Sequence, residues 1–169
     1  MLREKNSLNI HFMDTSIANN ILRIPQKSDD YEEVKREFED IKNSSTDFIV
    51  IPLATIIETG NHISHIGDGD TRRKIAQDFR DMVRNALEEN DCWVYYGREL
   101  SRDDIEQIVS DFPDVVLQKG MGIGDLSIVR AYNKYKSEVP AIGQIRIWSL
   151  DDHLRSYEER IVPVFRRNG

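Results

Sequence analysis

Apolar and polar positions along this chain fall into blocks whose period switches between two and about 3.6. Ile10, Phe12 and Met13 mark a short apolar strand over Asn9 to Met13, ending at Asp14. Thr15 to Leu22 reads as a helical turn or two, closed by Pro25. Beyond the polar stretch Gln26 to Asp30, Val34, Phe38 and Ile41 recur at helical spacing. Asn43 to Asp47 reads as a loop. Phe48 to Ile51 is a continuous apolar strand, the kind expected in a parallel sheet covered on both faces. A helix follows from about Ala54 to His65, then the turn Gly67-Asp68-Gly69-Asp70.

Thr71 to Glu89 gives the most regular helix. Ile75, Phe79, Met82, Val83, Ala86 and Leu87 form its apolar stripe, and Asp70 or Thr71 its cap. Trp93 to Tyr96 reads as a strand. Ser101 and Asp104 open a further helix as a capping box, carrying Ile105, Ile108, Val109 and Phe112. Asp125 stands at the start of a helix reaching about Lys136. Ile145 to Trp148 is the fourth strand and Ile161 to Phe165 the fifth. Strands alternating with helices predict an α/β fold: a three-layer α/β/α sandwich around a central parallel sheet of about five strands. The 169 residues suit one domain, 1–169, with no internal repeat.

Composition narrows the function classes. The longest apolar stretch, Phe48 to Ile57, contains Pro52 and Thr55 and is too short to cross a bilayer. The opening MLREKNSLN has no apolar core of a secretory signal. A single cysteine, Cys92, excludes an internal disulfide framework and a cysteine zinc cluster, and implies a reducing, cytoplasmic location. With a net charge of −7, contact with a polyanion needs a local patch or a metal rather than bulk charge.

Four acids carry the candidate chemistry. Asp14 ends the first strand, and Glu58 lies in the first turns of the helix after the second. Asp125 opens a helix behind the loop Gly120 to Gly124, and Asp151 follows the fourth strand. Sites in open parallel sheets form outside the carboxyl ends of the strands, so these acids are expected near one rim. Carboxylates sharing a cleft repel one another unless a cation neutralises them, and all-oxygen donors favour Mg2+ or Mn2+ over zinc. Two such ions activate water and stabilise the leaving oxygen in phosphodiester hydrolysis.

The words FMDTS, PLATIIETGNHI, GIGDLSIVRAY and IWSLDDHL, in that order, resemble the four acidic motifs of PIN-domain nucleases. The resemblance runs from about Asn9 to Leu154. It implies a PIN-like fold, and the family's metal-binding positions fall on Asp14, Glu58, Asp125 and Asp151. Ser16 and Ser149 match its small polar residues beside the first and last acids. Many relatives are metal-dependent endoribonucleases (hydrolases), and many small prokaryotic ones are toxins of toxin–antitoxin pairs. The implied activity is Mg2+- or Mn2+-dependent RNA cleavage, by a toxin or a phage-defence nuclease. The implied partners are RNA, an antitoxin or other regulatory protein, and a second copy in a homodimer. The chain is longer than a minimal toxin of this family, around Gln26 to Thr46 and Gly97 to Lys119. Rival readings are a non-catalytic PIN-like module that binds RNA or protein, and a metal-dependent phosphohydrolase on another substrate.

Further residues are candidates for supporting roles. Asp152 is an alternative or auxiliary acid beside Asp151. Asn61 or His62, on the helix of Glu58, is placed to contact substrate, and His65 shares that face. Arg73, Arg80 and Arg84 fall on one face of the long helix and form either a phosphate-contacting stripe or an ordinary charged surface. Arg166 and Arg167 make a short basic tail. The glycines at 120, 122 and 124 read as a flexible loop that lets backbone approach the site.

Overall fold

The structure is a computed structural model that describes residues 7–140 and 142–161. In chain order the elements are β1 (Leu8–Met13), α1 (Thr15–Ile21), α2 (Tyr31–Asn43), β2 (Asp47–Val50), α3 (Leu53–Ser64), α4 (Gly69–Leu87), β3 (Trp93–Val94), α5 (Arg102–Lys119), α6 (Ile123–Glu138), β4 (Ile142–Trp148), α7 (Asp152–Arg155) and β5 (Glu158–Arg160). The strands form one sheet in the order β3-β2-β1-β4-β5. β3, β2, β1 and β4 run parallel, and β5 pairs antiparallel with β4.

The alternation of side chains across the sheet divides the core in two. Ile10 and Phe12 of β1, Val50 of β2 and Ile145 and Ile147 of β4 pack with Ile108 of α5 and Ile128 and Tyr132 of α6. Met13, Ile49 and Trp148 face the other way, onto Ile17 of α1, Val34 and Ile41 of α2 and Ile75 and Met82 of α4. The molecule is therefore an α/β sandwich with a mostly parallel central sheet covered by helices on both faces.

Several boundaries differ from the sequence reading, each for a local reason. α4 starts at Gly69, because the Asp68 carboxylate caps it by accepting from Thr71 N at 2.8 Å; neither Asp70 nor Thr71 is the cap. Leu87 of its apolar stripe is 51% exposed, lying beyond the packed turns. Ser101 and Asp104 do form a reciprocal capping box at the head of α5. Of that helix's apolar set only Ile108 is fully buried; Ile105 and Val109 stay half exposed because α5 is the outer neighbour of α6. β3 is only two residues long, and Tyr95 beyond it is exposed. Cys92 is buried, and burial raises its thiol pKa.

The fifth strand is Glu158–Arg160, and the sheet's last pairing is antiparallel. The expected strand at Ile161 to Phe165 falls almost wholly outside the described residues: Ile161 lies just beyond β5, and positions 162–165 are outside them, as are Arg166 and Arg167. Of the glycine segment, the approach of backbone to the site holds, since a Cβ on Gly124 would stand 4.0 Å from Glu58 Oε2, but it is not an open loop. Gly120 ends α5 in the left-handed conformation, φ 62°, which glycine adopts without steric cost. Gly122 is the N-cap of α6 and Gly124 lies within its first turn, so the segment is a tight helix–helix junction.

A polar cluster crosses three strands on the α2 side. Buried His11 on β1 bonds Asp47 on β2 at 2.7 Å, and Arg146 Nε on β4 donates to His11 Nδ1 at 2.7 Å. Arg146 also reaches Glu37 on α2 at 3.3 Å. A guanidinium is only a donor, so Nδ1 accepts and the ring's proton sits on Nε2, facing Asp47. Burial and Arg146 together hold the His11 pKa below 6.5, against the pull of Asp47. The unfolded chain then takes up a proton first as pH falls, so His11 costs the fold stability below about pH 6.5. Urea denaturation at pH 7.5 and 5.5 should show wild type losing stability relative to His11→Gln on acidification. A pH-independent difference would refute this.

Candidate functional site

The strand order changes direction at β1: its sequence neighbour β2 lies on one side and β4 on the other. In open α/β sheets this switch point, at the carboxyl ends of the strands, opens a crevice. Asp14 follows β1 and Asp151 follows β4, so they flank it. Glu58 comes from the middle of α3 and Asp125 from the first turn of α6. All four line one cleft of about 200 Å³.

Asp14 is the most tightly held. It is 5% exposed and caps α1. Its Oδ2 accepts from Ser16 Oγ and Ser149 Oγ, each at 2.7 Å, and from Ser16 N at 3.3 Å. Oδ1 receives no hydrogen bond among the described residues. The two serines are tied in turn: Leu150 N donates to Ser16 Oγ and Asp151 N to Ser149 Oγ, each at 3.0 Å. Ser149 thereby connects the carboxylate of Asp14 to the backbone of Asp151.

Glu58 is steadied by Thr15, whose Oγ1 donates to Oε2 at 3.0 Å. α3 is anchored to the end of β1 by Thr55 Oγ1, which donates to Met13 O at 2.7 Å. Its first turn has no side-chain cap of its own; Leu53 N donates instead to Glu99 Oε1 at 2.6 Å. Burial raises the Glu99 pKa to about 7. Asp151 is exposed and caps α7, with Oδ1 accepting from His153 N and Leu154 N.

Asp125 shows that the four acids share a field. Its pKa is raised to about 6, first by burial and then by the charges of Asp14, Glu58 and Asp151. As the side chains stand, no three His, Cys, Asp or Glu groups among the described residues close on a single ion. The donors that line the cleft are nevertheless mostly carboxylate oxygens, with no thiolate, the chemistry that hard divalent cations select.

The supporting candidates divide. Asp151 lines the cleft and Asp152 does not; Asp152 is an exposed first-turn residue of α7. His62 lines the cleft, 3.9 Å from Glu58, whereas Asn61 is exposed and outside it, its carbonyl bonded to Ser64 and His65. Arg73, Arg80 and Arg84 lie on the solvent face of α4, opposite Ile75, Met82 and Ala86, and none lines the cleft; Arg80 pairs with Asp81 at 2.8 Å. A larger cavity, about 620 Å³, lies between α2 and α4 and contains none of the four acids.

Sequence reasoning missed Thr15 and Asn19. Asn19 Oδ1 accepts from His62 Nδ1 at 3.1 Å, fixing the ring above Glu58. The available signal was that Thr15 and Asn19 are polar residues four apart on a short helix directly after Asp14; the structure buries both. No protein-family model matches the chain, and no curated protein matches it in sequence.

Proposed function

We propose that the protein is a Mg2+- or Mn2+-dependent endoribonuclease that hydrolyses RNA phosphodiester bonds in the four-carboxylate cleft. One observation carries this reading: acids from four separate elements, far apart in sequence, line one small cleft at the sheet's switch point. The resemblance of the same four segments to PIN-domain motifs supports it independently.

Asp14, Glu58, Asp125 and Asp151 would hold the ions. Bound there, a divalent ion supplies Lewis-acid polarisation of the phosphoryl oxygens and makes water a better nucleophile. The residues of the chain do the positioning. Ser16 and Ser149 occupy Asp14 Oδ2 and so leave Oδ1 directed to its task. Thr15 fixes one oxygen of Glu58. Asp125 ionises above about pH 6, completing a set of four negative charges that draws in cations. A phosphate cannot approach those charges unneutralised, which makes cleavage conditional on the cation.

The test is incubation of end-labelled single-stranded RNA, and of DNA of the same sequence, with purified protein in Mn2+, Mg2+ or EDTA. Cleavage of RNA in either metal and none in EDTA is the expected result. Intact RNA under all three conditions would overturn the reading.

A further inference from the structure

A second cavity, of about 370 Å³, adjoins the carboxylate cleft, and His62 lines both. Its volume lies within the ~300–1,000 Å³ of ordinary ligand pockets. Its character is opposite to the cleft's. Lys27 and His65 stand with His62 on its wall, and buried Ile24 and Ile66 give it an apolar floor. The one acid there, Asp68, spends its carboxylate on the cap of α4.

The wall is built rather than incidental. The loop after α1 is pinned at Ile24 by a bond from its N–H to Asn19 O, and Ile24 O accepts from Lys27 N and Ser28 Oγ, all at 3.0 Å. Asp30 N donates to Asn20 Oδ1. Asn19, which holds this loop, also holds His62. One asparagine therefore sets both sides of the junction between the two cavities.

A strand whose scissile phosphate sits in the small cleft must continue outside it. The small cleft has room and counter-charge for the scissile phosphate alone, whereas Lys27 attracts the next one and the apolar floor accepts a sugar or base face. We propose that this cavity is the subsite for the nucleotide flanking the scissile bond, with Lys27 holding its phosphate and His62 marking the boundary between binding and cleavage. This rests on the ribonuclease reading of the cleft.

The experiment compares Lys27→Glu with Lys42→Glu, the same charge change in the separate cavity between α2 and α4. Both lysines belong to the surface-exposed set, so the fold should survive. Two substrates are used: a labelled single-stranded RNA, and bis(p-nitrophenyl) phosphate, which has no flanking nucleotide. Lys27→Glu should raise KM for RNA about tenfold with kcat little changed, and leave the small diester untouched. Lys42→Glu should alter neither. Equal KM effects from both variants, or equal losses on both substrates, would overturn the subsite while leaving the nuclease reading intact. If wild type cleaves neither substrate, that reading fails and the subsite falls with it.

Discussion

Asp14→Asn is expected to lower RNA cleavage about 1,000-fold or more, with the melting temperature little changed. Metal-ion stabilisation of a phosphoryl-transfer transition state amounts to several kcal/mol, and each ~1.4 kcal/mol is tenfold in rate. Asparagine caps a helix as well as aspartate, so α1 keeps its start. Its carbonyl oxygen still accepts from Ser16 and Ser149, and its amide replaces the free carboxylate oxygen with a donor that repels a cation. Ser149→Ala should do less, about 10–100-fold, because it loosens Asp14 and Asp151 without removing a charge. Single-turnover cleavage of labelled RNA, beside circular dichroism, reads both. An Asp14→Asn protein that cleaves at the wild-type rate would remove that residue from the mechanism.

Asp104→Ala is expected to cost about 3–5 kcal/mol, lowering the melting temperature by roughly 10 °C. Asp104 is 2% exposed. It accepts from Ser101 N at 2.9 Å, Ser101 Oγ at 2.6 Å, Lys134 Nζ at 2.5 Å and Arg130 Nε at 3.2 Å. Burial alone would raise its pKa, but the bonds from Lys134, Ser101 and Arg130 outweigh it and hold the carboxyl below the usual range. Truncation removes the Asp104 half of the capping box, leaving Ser101 N without its acceptor, and leaves Lys134, largely buried, without its carboxylate. The change also reaches the site, since α6 carries both Lys134 and Asp125. Thermal denaturation by circular dichroism checks it; a loss under 1 kcal/mol would mean that the cluster is solvated.

The features legible in the sequence were those encoded locally. The apolar runs of β1 and β2, the helical stripe of α4 and the Ser101–Asp104 box each declare themselves within a few residues. The expectation that the four acids share one rim was legible because Asp14 and Asp151 follow strands while Glu58 and Asp125 lie near helix starts. What escaped depends on contacts across the chain. β5 is Glu-Glu-Arg, all exposed, with no apolar period to betray it; its charges suit an edge strand that must not pair further. Likewise α7 is a single turn started by the Asp151 cap, and that cap is what separates Asp151 at the cleft from Asp152 outside it. The role of His11 has no local signature, because its partners sit on two other strands. Thr15 and Asn19 gain their roles only when α1 packs against α3.

The most direct test of the central claim is calorimetric titration of Mn2+ into wild type and Asp125→Asn at pH 8, with melting curves in EDTA and in metal. Above about pH 6 the ionised Asp125 is held against its burial and its neighbours' charges, so relieving it should stabilise the metal-free fold. Wild type should bind Mn2+ and melt higher with it. Asp125→Asn should bind at least tenfold more weakly, yet melt about 2–4 °C higher than wild type in EDTA, the shift that ~1 kcal/mol produces at this chain length. Equal Mn2+ binding by the two proteins, or no binding by wild type, would contradict a metal site built from these carboxylates.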